Sequence, residues 1–317
     1  MTFVFELYIN TFMMDRGITE QVTINFGKQK NEAIQYLVEL VNASDISSIK
    51  SIVNAIINVI NDPRSTVKEI KEVILLDPPL AGRVLRIANS AYYSRAFTRT
   101  FTDIEQAIIW IGSDIIKELA LSQKVCEIFD CDEEIENYSR KSLWTHSIAV
   151  ALMAKMIYRK ELGLPGENAY MVGLLHDIGI IAEDQFLQEN FIRALQLSRT
   201  KNIDMARAET ETWGYNHAEL GQAVADSWNL PGELATAIGY HANPLVYEGT
   251  FSKIICTLYA ADYICQEHGL AFGAAPVQDK YTLQKCLKQI DVKPRALELI
   301  FINMKSEVSK MKDKGLF

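Results

Sequence analysis

The stretch that decides how this chain is read is Met171-Val172-Gly173-Leu174-Leu175-His176-Asp177-Ile178-Gly179. Two metal-competent side chains, His176 and Asp177, stand side by side in an otherwise apolar run. A helix of that composition belongs in a core, where a carboxylate without a cation or donor is costly. Taken alone, the pair reads as a hydrogen-bonded core histidine beside a helix-capping aspartate. Its companions change that reading.

The chain has five histidines, and four of them (His146, His176, His217 and His241) fall inside apolar helical segments. The fifth, His268, sits in a polar Gln-Glu-His-Gly end and is expected at the surface. Successive candidates are 30 residues apart (146 to 176), then 40 (177 to 217), 24 (217 to 241) and 21 (241 to Asp262). Each interval is about one helix-turn-helix excursion, which in a bundle returns every bearing helix to one level of the core. Four imidazoles and two carboxylates, Asp177 and Asp262, suit a divalent transition metal, with Fe, Mn and Zn-like ions all compatible. Two ions sharing Asp177 would activate water and clamp a phosphoryl oxygen, which makes Asp177 the catalytic candidate. No C-x-x-C pair lies among these positions, so a Cys-rich structural zinc site is not indicated.

Outward from this centre the apolar period is helical almost throughout, and the expected fold is all-α. Residues 1–29 form an appendage with a possible short β hairpin, because Phe3/Phe5 and Val22/Ile24/Phe26 alternate around Asp15-Arg16-Gly17. Residues 30–138 read as an N-terminal helical lobe and 139–317 as the lobe that carries the metal-site candidates. Thr66 with Glu69 is a capping-box pattern, and Asp77 before Pro78 is an N-cap with proline at the first helical position. The His176 helix is expected to end at Gly179, the acidic segment 130–136 to form a loop, and no strand is expected after residue 28. Gly112-Ser113 between two helices also fits a helix-turn-helix, but Asp114 to Ser122 offers only Asp114, Lys117 and Glu118 as charges, a poor set for phosphates.

Charge and cysteine usage bound the function. A net charge of −8 without a basic block argues against DNA and anionic membranes as partners. Five cysteines, odd in number and lacking a C-x-x-C, point to a reducing cytoplasm. The apolar N-terminus is broken by Glu6 and has no preceding basic residue, so neither a signal peptide nor a membrane span is expected.

His146, the pair His176-Asp177 and Asp262 resemble the H…HD…D signature of the HD superfamily of metal-dependent phosphohydrolases. His217 and His241 resemble the two extra histidines of its dinuclear members. The upstream half narrows the resemblance to the HDOD module. Leu76-Asp77-Pro78-Pro79-Leu80, Arg86-Ile87-Ala88-Asn89-Ser90-Ala91-Tyr92-Tyr93, Gln106-Ala107-Ile108 and Glu219-Leu220-Gly221 ahead of Trp228 all carry it. It spans roughly residues 40–265.

The resemblance implies a bacterial-type helical signalling module whose partner is a signalling protein, a phosphorylated small molecule or a nucleotide. Many HDOD domains have lost the HD ligands; here every assignable ligand position is filled. The His-Asp-x-Gly-Lys of HD-GYP phosphodiesterases is His176-Asp177-Ile178-Gly179-Ile180 in this chain, without the lysine, and no Gly-Tyr-Pro follows His241. Three functions remain: a metal-containing binding module, a metal-dependent phosphohydrolase, and a dinuclear-iron redox enzyme or sensor. Trp144 is expected to be core packing, Asn89 and Tyr92 to fix a helix end against the HD half, and Arg83 and Arg86 to lie on a solvated or salt-bridged face.

Overall fold

The computed structural model describes residues 26–90, 100–130, 134–135, 138–272 and 279–313. They are helical almost throughout, as the apolar period requires. Helix α1 (Phe26–Ala43) is followed by a 3-10 turn over Asp45–Ile49 and by α2 (Lys50–Asn61). Then come α3 (Val67–Leu75), α4 (Pro78–Ala88), α5 (Ile104–Ile111) and α6 (Ser113–Cys126).

Local sequence sets these boundaries. Thr66 and Glu69 close a reciprocal capping box on α3, and the Asp77 carboxylate accepts from Leu80 N at 2.9 Å to open α4. Asn89 ends α4: its amide donates to Leu85 O and Phe101 O, and its Oδ1 accepts from Phe101 N. It fixes the helix end as expected, but against Phe101 rather than the HD half; Tyr92 lies outside the described residues. Gly112, at φ +100°, makes the turn from α5 to α6 in a backbone region that disfavours side chains. Helix α6 is packed into the lobe along Ile116, Leu119, Ala120 and Val125. Trp144 is buried against Phe129 with ring centroids 5.1 Å apart, as core packing predicts. Arg83 pairs with Glu127, and Arg86 is exposed.

The second half begins with a two-stranded ribbon, β1 (Glu134–Ile135) and β2 (Tyr138–Ser139), whose register pairs Glu134 with Ser139 and Ile135 with Tyr138. Helices α7 (Arg140–Lys160), α8 (Glu167–Leu175), α9 (Ile178–Phe186), α10 (Gln188–Lys201) and α11 (Met205–Trp213) follow. They lead into α12 (His217–Ser227), α13 (Gly232–Tyr240), α14 (Ser252–Glu267), α15 (Lys280–Ile290) and α16 (Pro294–Asp313). Helix α7 is the hub of this half, packed against α8, α14 and α16. Helix α1 lies against α9 and α12, so the N-terminal helix packs on the second half of the chain. Lys50 Nζ donates to Ser227 O at 2.7 Å and Asn54 Nδ2 to Trp228 O at 2.6 Å, tying α2 to the end of α12.

Three expectations need correction. The helical run does not end at Gly179. It breaks two residues earlier, at His176-Asp177, and resumes as α9. Asp177, at φ −98° and ψ 19°, leaves helical geometry at the break, and the apolar run on both sides hid it. The acidic segment is partly a strand ribbon, too short to show a period of two. Phe26, grouped with the N-terminal alternation, starts α1; the rest of the expected hairpin, residues 1–25, lies outside the described residues. No helix among the described residues is long and apolar enough to cross a membrane.

Candidate metal centre

Five helices or helix ends bring all six predicted residues to one place in the core. His146 projects from the middle of α7, Asp262 from α14, and His217 from the first position of α12. His176 and His241 cap the C-terminal ends of α8 and α13, and Asp177 follows His176 in the break before α9. All six are nearly inaccessible to solvent, with 5% exposure at most. Helix C-termini carry partial negative charge, so two of the five elements favour a cation before any side chain is counted.

Asp177 is the centre. Its Oδ2 lies 3.1 Å from His176 Nε2 and 3.6 Å from His146 Nε2. Its Oδ1 lies 3.5 Å from His241 Nε2 and 3.6 Å from His217 Nε2. Each carboxylate oxygen therefore faces its own pair of imidazoles. Asp262 Oδ1 stands 3.1 Å from His146 Nε2 on the Oδ2 side. One ligand atom each from His146, His176 and Asp262 lies within 4.8 Å of the others, and the same holds for His176, Asp177 and His241.

The opposite ring nitrogens decide what the facing ones carry. Nδ1 of His146 lies 2.6 Å from Leu270 O, that of His176 2.8 Å from Gly173 O, and that of His241 2.7 Å from Ile238 O. Nδ1 of His217 lies 2.7 Å from Glu209 Oε2. All four partners are acceptors, so all four Nδ1 atoms carry the hydrogen, and neutral rings present bare lone pairs at Nε2. The Nε2 atoms of His217 and His241 then face each other at 3.2 Å, which requires a proton or a cation between them. His146 Nε2, His176 Nε2 and Asp177 Oδ2 are buried without a hydrogen-bond partner, because with each ring hydrogen at Nδ1 the 3.1 Å approaches set acceptor against acceptor. Orphaned acceptors converging in a dry core fit divalent ions better than any protein donor within reach.

Electrostatics agree. Burial would raise Asp177, but the histidines around it, His176 first, hold its carboxyl well below the usual range. Burial also opposes the lowering of Asp262, and the His146 contact outweighs it. On His217 burial opposes charge, but the Glu209 carboxylate prevails and pushes the imidazole up to about 9, so an ion bound there must displace a proton from Nε2. His241 goes the other way, lowered by burial despite its contact with Asp177. The centre keeps its carboxylates ionised in a place that excludes water, the setting in which a cation is held most strongly.

Two glycines beside the His-Asp pair make the convergence possible. A Cβ on Gly173 would lie 2.5 Å from Ala151 Cα, so α8 touches the α7 backbone there. A Cβ on Gly179 would lie 2.0 Å from the His217 carbonyl oxygen, so α9 touches the start of α12. That start is set by Asn216 and Glu219, which form a capping box and leave His217 at the first helical position.

Sequence reasoning missed an outer layer. Glu209 on α11 is fully buried and accepts from both His217 N, at 2.8 Å, and His217 Nδ1. Glu183 on α9 is buried beside it, and burial together with the Glu209 charge pushes its carboxyl well above the usual range. Gln266 Nε2 donates to Asp262 Oδ1 at 2.8 Å. The signal was present for Glu209: Met205, Ala208 and Trp213 place it on the buried stripe of an otherwise polar helix. A cavity of about 120 Å³ opens onto the centre past Asn243, Gln266, Phe272 and Asp204, with no Lys or Arg among its described lining residues.

The chain belongs to the HDOD domain family, whose family model matches residues 46–244. Among solved structures it is similar to an HDOD domain protein of unknown function from Geobacter sulfurreducens (TM-score 0.68, 28% identity, 84% of this chain and 92% of that one). The fold is shared with a putative signal transduction protein from Marinobacter aquaeolei (TM-score 0.71, 19% identity, 93% and 67%). It is shared too with a putative phosphohydrolase from Shewanella amazonensis (TM-score 0.65, 23% identity, 90% and 96%). An uncharacterized Treponema pallidum protein is 26% identical over 204 residues, 63% of this chain. Those residues span 38% of that relative.

Proposed function

We propose that this chain is an HDOD signalling module whose buried centre holds two divalent first-row ions bridged by Asp177, and that it acts by binding a ligand or partner protein. His146, His176, Asp262 and Asp177 Oδ2 would hold one ion; His217, His241 and Asp177 Oδ1 would hold the other. The observation that carries this reading is the set of imidazole Nε2 atoms, each backed at Nδ1 by an acceptor, around one two-faced carboxylate. A two-ion centre of this kind supplies Lewis acidity and an activated water. The residues of the chain orient it, exclude bulk water and keep both carboxylates charged.

Binding without rapid turnover is favoured by what lies around the centre. Ile180, where HD-GYP enzymes carry lysine, is fully buried and apolar. The described residues of the mouth offer no cation to stabilise charge developing on a phosphate. Phosphoester hydrolysis is the second reading: the two faces of Asp177 could place two ions on one phosphoryl group, and the Shewanella structure bears the description of a putative phosphohydrolase.

The test is elemental analysis of protein purified without chelator, joined to an assay on bis(p-nitrophenyl) phosphate with Mn²⁺ or Fe²⁺. Two ions per chain with negligible turnover is the expected result. Turnover abolished by chelation would move the conclusion to hydrolase, and a chain free of metal under all loading conditions would end both readings.

A further inference from the structure

The three imidazoles of His146, His176 and His241 are backed by peptide carbonyls, whereas His217 alone is backed by a carboxylate. We propose that Glu209 is a positioning residue that sets the cation affinity of one subsite only, the one formed by His217, His241 and Asp177 Oδ1. This rests on the two-ion reading above.

The geometry is specific. Glu209 Oε2 accepts from His217 N at 2.8 Å and from His217 Nδ1 at 2.7 Å, and Oε1 lies 3.0 Å from the same ring nitrogen. His217 is the first residue of α12, so its amide is one of the helix's unpaired first-turn donors. One carboxylate thus fixes both the backbone and the ring of a single ligand. It also sits at the positive end of the α12 dipole, which stabilises it there. The ring cannot rotate away without breaking the bond at Nδ1, and the His217 backbone is held both by its N–H bond to Glu209 and by close packing of its carbonyl against Gly179.

The chemical consequence follows from charge. A carboxylate behind Nδ1 makes the imidazole a stronger donor at Nε2 than a peptide carbonyl does. His217 would then be the strongest nitrogen donor of the four. The subsite it serves has no Asp262, so Glu209 supplies from behind the negative charge that Asp262 supplies directly on the other side. The other subsite shares no hydrogen bond with Glu209 and should not sense its loss.

The experiment is a Co²⁺ titration of the metal-free full chain, wild type against Glu209→Gln, followed by d–d absorption and by ions per chain. Wild type should fill in two steps. In Glu209→Gln one step should weaken by about 10–100-fold, the range for such outer partners, while the other stays put. Glu209→Asp keeps the charge but, one methylene shorter, cannot reach both N–H groups; it should fall between the two and serves as the test if Glu209→Gln does not fold. A merely structural role would lower the melting temperature of the metal-free protein and shift both steps together. Equal weakening of both steps, or no change in either, overturns the proposal. A wild-type chain that takes up fewer than two Co²⁺ ions counts instead against the two-ion reading beneath it.

Discussion

Gly179 lies so close to His217 that a methyl group on it would sit 2.0 Å from the His217 carbonyl oxygen. The obstacle is backbone, so it cannot swing aside as a side-chain tip would. Gly179→Ala must push α9 away from α12, although alanine is the better helix former. We expect a loss of about 1–3 kcal/mol by urea denaturation, the usual cost of overpacking, together with weakened metal uptake. Gly82, exposed in α4 with nothing within 4 Å of its would-be Cβ, is the control. Gly82→Ala should stabilise by up to about 1 kcal/mol. If both substitutions stabilise, the close approach does not exist in solution.

Asp177→Asn keeps shape and one carbonyl acceptor but removes the charge that both ion subsites share. The variant should fold and yet bind neither ion. Its melting temperature should match that of chelator-treated wild type, which in turn should lie about 5 °C or more below the metal-loaded protein if ions are present at a hundred times their dissociation constants. Full metal content in Asp177→Asn would reduce His176 and Asp177 to polar core residues.

His217→Ala and His241→Ala each remove a ligand from the Asp177 Oδ1 side only. Each variant should retain one ion per chain by elemental analysis, held by His146, His176, Asp177 and Asp262. Loss of both ions from either single variant would show one coupled centre instead of two subsites.

Asp77 gives a pH dependence away from the centre. Burial would raise its carboxyl, but the Lys124 ammonium at 2.6 Å and the Leu80 amide outweigh it and lower it. A carboxyl lower in the folded than in the unfolded chain stabilises fully above the ordinary value of about 4. That contribution fades as pH falls through the lowered folded value. Asp77→Asn keeps an acceptor for the cap but cannot titrate, so its stability should fall less steeply than wild type below about pH 4. Parallel curves for the two proteins would exclude the linkage.

Much of this protein is legible in its sequence. The helical period, the Thr66–Glu69 and Asp77-Pro78 caps and the six ligand candidates follow from local spacing and burial cost. These are properties a chain segment carries with it. The break at His176-Asp177 was not legible, because apolar residues continue on both sides and only packing against α7 and α12 reveals that the helix must bend there. Tertiary structure alone decided which histidines share which oxygen of Asp177, and which acceptor stands behind each ring. Leu270 backs His146 from 124 residues away, and Glu209 reaches His217 from a different helix, across a turn. Such pairings depend on the relative placement of rigid helices, which residues like Gly173 and Gly179 permit but no local pattern states.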